Sequence, residues 1–213
     1  MTPDKTSQFF DSYAVDFDAI YGGNVGLLKK IINRIFRKSM RLRFEKTIEE
    51  CSGGEGRTVI DIGCGPGHYA VALASRGMRV TGIDFAPAMI EMANQKGAHA
   101  KVSDNCEFIV GDFIEYDFSH TFDYAVAMGF FDYIEKPNDF ISKIISITRR
   151  KILMSFPRAE GFWPWQRRIR YKKRCPLYMY SYRQLDALLS PIDCRNYQIE
   201  RISRDYFVII NLD

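Results

Sequence analysis

The sequence has few cysteines, little excess charge and no apolar run long enough to cross a membrane. Its five cysteines, at positions 51, 64, 106, 175 and 194, form no CxxC pair, and their odd number and wide spacing do not suggest a disulfide framework. The N-terminus has no basic segment followed by an apolar core, so we expect neither a secretion signal nor a membrane span. These absences indicate a reducing, cytosolic compartment.

The overall composition is that of an ordinary globular domain, with 46% hydrophobic and 26% charged residues among 213. A chain of this length buries about 70% of its unfolded surface, so it needs neither disulfides nor a structural metal. The net charge of +4 is too small to indicate nucleic-acid binding. Its distribution is more informative, because basic segments 29–43 and 167–174 flank a comparatively acidic stretch, 59–139.

From residue 58 onward, short β-branched segments alternate with segments that have apolar residues at helical spacing. This alternation predicts a parallel, doubly wound α/β sheet. The last two strand-like runs, 194–203 and 206–213, are separated by Arg204 and Asp205, which is hairpin spacing and predicts an antiparallel end. Ahead of the sheet, residues 25–51 have the spacing of one or two amphipathic helices.

A glycine-rich turn follows the first predicted strand in the segment VIDIGCGPGHY. Gly63, Gly65 and Gly67 permit close approach of a ligand at an edge where such sheets bind ligands; the alternative is a merely tight turn. The dinucleotide pattern fails because His68 occupies its sixth position, and no phosphate-binding lysine follows. The carboxylate of Asp61 would repel a pyrophosphate but suits a ligand with a cationic end.

Two further acids end the second and third predicted strands. Asp84 lies where a carboxylate accepts hydrogen bonds from ribose hydroxyls. Asp112 can accept from an adenine amino group, the Phe113 backbone offers a donor to a ring nitrogen and its side chain an apolar edge, and Phe85 can pack on the adenine face. Together these residues predict a nucleoside that carries a cationic amino acid, which is S-adenosylmethionine.

The succession VIDIGCGPGHYA, VTGIDFAPAMIEMA, FIVGDF and FDYAVAMGFFDYI resembles the class I S-adenosylmethionine-dependent methyltransferases from about residue 58 to 157. The resemblance implies a Rossmann-like sheet of seven strands with an antiparallel last strand. It also implies cofactor contacts at Asp61, Gly63, Gly65, Asp84, Met89, Asp112, Phe113 and Met128. To this predicted cofactor site we add Cys64, Gly67 and Phe85.

The N-terminal segment FFDSYAVDFDAIY and the basic helix after it resemble the lid of small-molecule members of this family. The resemblance makes Tyr13 and Tyr21 candidates for closing over the methionine part, and Arg41 or Arg43 the candidate for its carboxylate. We therefore expect a helical lid over 1–57, a cofactor-binding domain over 58–213 and an acceptor-binding insertion over about 158–182.

Two residues are candidates for a catalytic base, which an acceptor hydroxyl or protonated amine would need. His68 is near the glycine turn, although a loop histidine that only packs on the methionine part is an alternative. Asp132 follows the fourth predicted strand, where a capping or loop acid is the alternative. The family's NPPY-type motif is absent, since 128–131 reads MGFF, and this argues against adenine and glutamine methylation.

The segment after the fifth predicted strand interleaves Trp163, Trp165 and four tyrosines with the basic cluster 167–174. It suits an aromatic or anionic acceptor, although a solvated basic helix with core aromatics is an alternative. Lid and insertion are similar to those of magnesium-protoporphyrin and of natural-product or sugar methyltransferases. We expect methyl transfer to a small molecule, at oxygen; the alternatives are an RNA-directed methyltransferase and a non-catalytic, cofactor-binding subunit.

Overall fold

The computed structural model describes residues 27–161, 177–191 and 196–212, with side chains from residue 38 onward. The helices are α1 (Leu27–Glu50), α2 (His68–Ala74), α3 (Pro87–His99), α4 (Pro137–Ser146) and α5 (Tyr182–Leu189). The strands are β1 (Thr58–Ile62), β2 (Arg79–Asp84), β3 (Cys106–Val110), β4 (Phe122–Ala127), β5 (Thr148–Pro157), β6 (Tyr197–Ile202) and β7 (Asp205–Asn211).

These strands form one seven-stranded sheet in the order β3-β2-β1-β4-β5-β7-β6. The first five strands are parallel, and β7 runs antiparallel to both β5 and β6. Ser203 and Arg204 form the turn between β6 and β7, and Ile202 pairs with Asp205 beside it. The predicted fold class is therefore confirmed, including the antiparallel hairpin at its end.

Helices cover both faces of the sheet, which explains why the central strands are apolar almost throughout. Successive residues of β1 point to opposite faces. Val59 packs in one buried cluster with Ala70 and Leu73 of α2. Ile60 and Ile62 pack in the other, which includes residues of α4 and α5.

The region predicted to hold one or two helices before the sheet forms one helix, α1, of 24 residues. It packs against α2 and β6, and Thr47 is completely buried. Near its C-terminal end, Lys46 pairs with Glu200 of β6 at 2.9 Å, and Glu50 pairs with Lys151 of β5 at 3.0 Å. The second half of the helix is thus anchored on the sheet.

The cysteines at 51, 64 and 106 are free thiols. Across 27–161, 177–191 and 196–212, no helix is both long and apolar enough to cross a membrane. The same part of the chain contains no group of three or more His, Cys, Asp or Glu side chains placed to hold a metal ion.

Candidate functional site

The candidate site lies where the sheet reverses its winding, between β1 and β4. The chain leaves β1 toward β2 but leaves β4 toward β5, on the opposite side, and ligands of such sheets bind in the crevice at this point. The loops after the two strands meet there. A Cβ atom placed on Gly63 would come within 2.7 Å of the Phe130 ring.

The loop after β1 has a backbone that only glycine adopts easily. Gly63, Gly65 and Gly67 have φ angles of +64°, +51° and +74°. A Cβ on Gly67 would meet Ala93 at 3.0 Å, whereas one on Gly65 would have no atom within 4 Å. Gly65 therefore presents bare backbone to open space, which suits close approach of a ligand.

Asp84 holds this loop in place from the end of β2. Its Oδ2 accepts a hydrogen bond from the amide of Gly65 at 2.9 Å, and its Oδ1 accepts from the amide of Ala86 at 3.0 Å. One carboxylate thus joins the glycine loop to the start of α3. The side chain remains partly exposed, so it is accessible from the crevice.

Asp61 lies beneath the same loop and is only 1% exposed. Its Oδ2 accepts a hydrogen bond from the amide of Ala70 at 3.1 Å. Burial, together with the charge of Asp84, raises the pKa of Asp61 to about 7, against the opposing effect of the hydrogen bond from the Ala70 amide. A cation brought close to this carboxylate would favour its ionised form.

The residues predicted to contact a nucleoside lie at the ends of β2 and β3. Phe85 is 39% exposed, while Met89 is buried close behind it against Ala86. Asp112 Oδ1 accepts a hydrogen bond from the amide of Ile114 at 2.8 Å. The Phe113 side chain is buried in the core, where it stacks with Phe140 at 6.3 Å between ring centroids.

Cys64 lies in the loop after β1, and Met128 follows the last residue of β4. Burial, with the charges of Asp61 and Asp84, raises the pKa of the Cys64 thiol well above its usual value, so it remains protonated. Met128 is partly buried against the core cluster around Val126. Neither residue carries charge, and both supply apolar surface beside the glycine loop.

Arg43 of α1 reaches the end of β4, where its side chain is largely buried, with 13% exposed. Its Nη1 donates a hydrogen bond to Ser155 Oγ at 3.0 Å, and the same oxygen accepts from the amide of Gly129 at 2.8 Å. Burial lowers the pKa of Arg43, but Asp205, Tyr69 and Tyr133 outweigh it and raise the pKa overall. The guanidinium is therefore a fixed and largely buried cation.

Arg41, the other candidate for this role, lies on the surface. It pairs with Glu45 at 3.4 Å one helical turn away, and both side chains are well exposed. Of the two arginines, the structure thus places Arg43 beside the crevice.

The two candidate bases occupy different environments. His68 is the first residue of α2 and is exposed, with Lys96 Nζ at 3.1 Å from Nδ1 and 3.3 Å from Nε2. Asp132 is 2% exposed and follows Phe130 and Phe131 in the loop after β4. Their roles remain predictions.

Several predicted features lie outside the described residues. These are Tyr13 and Tyr21 of the proposed lid, the basic cluster 167–174, and Trp163 and Trp165. The return of the proposed insertion is described, and it lies against the loop after β4. There the amide of Tyr178 donates to the carbonyl of Asp132 at 2.9 Å, and Tyr180 Oη donates to the carbonyl of Ile134 at 3.1 Å.

Sequence reasoning missed three polar residues of this region, which are Ser39, Ser155 and Asp205. Ser155 and Asp205 lie in or at the start of strands that are otherwise apolar, and both are buried. A polar residue within an apolar strand requires a hydrogen-bonding partner, so its presence was the available signal.

Residues 59–151 match the family model of a methyltransferase domain. A sterol 4-C-methyltransferase of Caenorhabditis elegans is 28% identical over 131 residues, which are 61% of this chain and 39% of that protein. A mitochondrial ubiquinone biosynthesis O-methyltransferase of Schizosaccharomyces pombe is 30% identical over 109 residues, which are 50% of this chain and 40% of that protein. The matched region spans about two fifths of these relatives' length.

Solved structures resemble the fold over nearly the whole chain. A magnesium protoporphyrin IX methyltransferase of Synechocystis PCC 6803, solved with bound SAH, has a TM-score of 0.78 at 19% identity and covers 98% of both chains. The 4+2 cyclase SpnF has a TM-score of 0.70 at 14% identity, covering 99% of this chain and 95% of that one.

The matched domain model, the order of the seven strands and the glycine loop fastened by an acid at the end of β2 agree with one another. Residues 59–151 therefore match a methyltransferase domain, and the chain as a whole has the fold of the solved magnesium protoporphyrin IX methyltransferase.

Proposed function

We propose that this protein binds S-adenosylmethionine and transfers its methyl group to a small-molecule acceptor. The observation that carries the proposal is the open backbone of Gly65, held by the Asp84 carboxylate at the switch point of the sheet. This arrangement offers an accessible acid for ribose hydroxyls and a bare backbone for close contact with the ligand.

The charges around the crevice fit the two ends of the cofactor's amino acid. Asp61, whose burial disfavours its ionised form, would gain from a nearby ammonium group. Arg43 Nε is buried and has no hydrogen-bond partner within the described part of the chain. A carboxylate near the end of β4 would pair with this guanidinium in addition to Asp205, as the family resemblance implies for Arg43.

The contacts with the adenine are proposed from the positions of three residues that follow β2 and β3. Phe85 is exposed enough to pack on the adenine, Asp112 would accept from its amino group, and the Phe113 backbone would meet a ring nitrogen. Because the Phe113 side chain is packed in the core, it can support the adenine end of the site only from the protein interior. Tyr13 and Tyr21 complete the proposal as lid residues.

When bound, the sulfonium supplies an already activated methyl group, so the protein has mainly to orient the acceptor and exclude water. Where the acceptor is a hydroxyl or an ammonium group, a base must take its proton. We assign this role to Asp132, because it lies in the loop whose Phe130 touches Gly63, with His68 as the alternative. This acid is only 2% exposed, so it is shielded from bulk water.

We propose an anionic or aromatic acceptor that is methylated at oxygen. Support comes from the ubiquinone biosynthesis O-methyltransferase and the magnesium protoporphyrin IX methyltransferase, one similar in sequence and the other in fold. The aromatic and basic residues of the segment 158–182 would enclose such an acceptor. In this proposal residues 1–57 form the lid, and the protein works in a reducing, cytosolic compartment that keeps its thiols free.

Transfer of a labelled methyl group tests the proposal directly. The full chain is incubated with S-adenosylmethionine labelled at its methyl group and with fractionated metabolite extracts, and D84A serves as the inactive control. We expect label in a small molecule with the wild-type chain alone. Cofactor binding without methyl transfer to any fraction would favour the alternative of a non-catalytic subunit. The same fold also occurs in a cyclase, so the fold alone does not decide between these outcomes.

An RNA acceptor is the second candidate, since an uncharacterized RNA methyltransferase of Bacillus cereus is 28% identical over 109 residues. Those residues cover only 23% of that protein. The basic segments 29–43 and 167–174 would then bind phosphates, and affinity for RNA would fall steeply between 50 and 200 mM salt. Affinity that is absent, or unchanged over this range, would eliminate the RNA acceptor.

A further inference from the structure

A buried carboxylate at the start of β7 contacts α1 from the far end of the chain. Ser39 Oγ donates a hydrogen bond to Asp205 Oδ2 at 2.6 Å, and the two residues are 166 positions apart. The same oxygen lies 3.6 Å from Arg43 Nε, and both side chains of this ion pair are largely buried. Asp205 thus lies nearest to Nε of the guanidinium, whereas Ser155 accepts a hydrogen bond from Nη1.

We propose that Asp205 is a positioning residue that holds the Arg43 guanidinium at the end of β4 for the carboxylate of the bound cofactor. The proposal rests on the function proposed above, in which Arg43 recognises that carboxylate. It adds that recognition depends on the terminal hairpin, because Asp205 is the first residue of β7.

Arg43 is held at two points of its guanidinium. Nη1 donates a hydrogen bond to Ser155 Oγ of β5, and the same oxygen also accepts one from the amide of Gly129. Nε is held by Asp205 without a hydrogen bond, since 3.6 Å exceeds the usual range for one. The second restraint therefore acts chiefly through charge, so an uncharged residue of the same shape should release it.

A buried arginine would otherwise be costly, because its desolvated charge needs compensation within the protein. Asp205 supplies a negative charge, and Ser39 in turn fixes the Asp205 carboxylate. An incoming carboxylate would then meet a guanidinium that is already desolvated and oriented, so little rotamer entropy would be lost on binding. This preorganisation is what the positioning role contributes.

Two ligands that differ only in the carboxylate test the role of Asp205. Affinities of the full chain for S-adenosylmethionine and for decarboxylated S-adenosylmethionine are measured by calorimetry. We expect D205N to weaken binding of S-adenosylmethionine by about tenfold, the scale of one charge-assisted contact, and to leave the decarboxylated ligand within about twofold. D205E, which keeps the charge, should restore part of the loss.

Because Asp205 is proposed to act through Arg43, the effects of substituting the two residues should not be additive. R43Q should remove the discrimination between the two ligands, and D205N combined with R43Q should lose no more than R43Q alone. S39A is a milder substitution that should disturb folding less. We expect it to weaken binding of S-adenosylmethionine by about threefold, without an equal loss for the decarboxylated ligand.

The control is D123N, which alters a buried acid at the start of β4, at the other end of this strand from the crevice. Asp123 accepts from Thr58 and pairs with Arg57 and Arg149, away from the crevice. We expect D123N to lower the melting temperature without changing the ratio of the two affinities.

The outcomes separate this inference from the proposed function. Equal losses for both ligands in D205N and S39A would make Asp205 merely structural and overturn the inference, with the proposed function intact. A wild-type chain that binds both ligands equally would remove Arg43 from carboxylate recognition and overturn the inference as well. A wild-type chain that binds neither ligand would overturn the proposed function itself.

Discussion

The amide of Gly65 donates a hydrogen bond to the carboxylate of Asp84 at 2.9 Å, and this bond joins the end of β1 to the end of β2. The other oxygen of Asp84 accepts from the amide of Ala86 just before α3. A residue proposed to bind ribose hydroxyls therefore also shapes the loop proposed to carry the ligand. Its two functions can be separated by substitution.

We predict that D84A lowers affinity for S-adenosylmethionine by on the order of 100-fold, because two hydrogen bonds to a charged acceptor and the ribose contacts are lost together. D84N keeps the shape and one acceptor oxygen, so its loss should be smaller. Calorimetric titration of both variants measures the difference. D104N, on an exposed acid of the turn before β3, is the control, and wild-type affinity in D84A would contradict the role of Asp84.

Alanine at Gly65 and at Gly63 should have different consequences. Both backbones are left-handed, which costs an alanine about 1–2 kcal/mol. A methyl group at Gly65 meets no protein atom within 4 Å, whereas at Gly63 it meets the Phe130 ring at 2.7 Å. We therefore expect G63A to lose about 1–3 kcal/mol more stability than G65A, through overpacking.

For affinity we expect the reverse order, with G65A losing more affinity for S-adenosylmethionine than G63A. In G65A the new methyl group points into the space left for the ligand, so affinity for S-adenosylmethionine should fall while the chain remains folded. Thermal denaturation and calorimetry on each variant give both quantities. A G65A chain that binds like wild type would show that the ligand does not approach this backbone.

Asp61 should make both stability and binding depend on pH. Its pKa in the folded chain is about 7, above the unfolded value of 3.8, so the folded state holds the proton more tightly. The free energy of unfolding should therefore fall as the pH rises from about 4 to about 7. Denaturation at several pH values measures this slope, which D61N should reduce.

The same carboxylate should make binding of a cationic ligand stronger as it ionises. Affinity for S-adenosylmethionine should rise between pH 5.5 and 7, by at most about tenfold per pH unit, below the range where an α-amino group titrates. Adenosine, which lacks the ammonium group, serves as the control ligand and should show no such rise. A pH-independent affinity for S-adenosylmethionine would argue that its ammonium group lies away from Asp61.

The sheet and the glycine loop could be predicted because their signals are local. In β1, apolar residues bounded by glycines mark a strand buried on both faces, and the structure confirms it. The spacing of two apolar runs likewise predicts the terminal hairpin, although the turn lies at Ser203 and Arg204, one residue before the predicted Arg204 and Asp205. The acids at 61, 84 and 112 could be placed by the same logic, since each falls in or just after a predicted strand.

The buried network around Arg43 could not be predicted in this way, because its members come from α1, β5 and β7. Neither helical spacing nor charge distinguishes Arg43 from Arg41, and the family resemblance left both open. The distinction comes from packing, since Arg43 reaches Ser155 while Arg41 pairs with Glu45 on the surface. Contacts between residues more than 100 positions apart depend on how the helix docks on the sheet.

Asp132 provides the last prediction, on catalysis rather than binding. If it removes the acceptor's proton, D132N should lower kcat by on the order of 100-fold or more and leave affinity for S-adenosylmethionine unchanged. The hydrogen bond from the Tyr178 amide to the Asp132 carbonyl does not involve the carboxylate, so D132N should keep this contact. D139N, at an exposed acid of α4, is the control, and H68Q tests the alternative base. Normal turnover in D132N with a large loss in H68Q would transfer the role to His68, and normal turnover in both would indicate an acceptor that is already ionised.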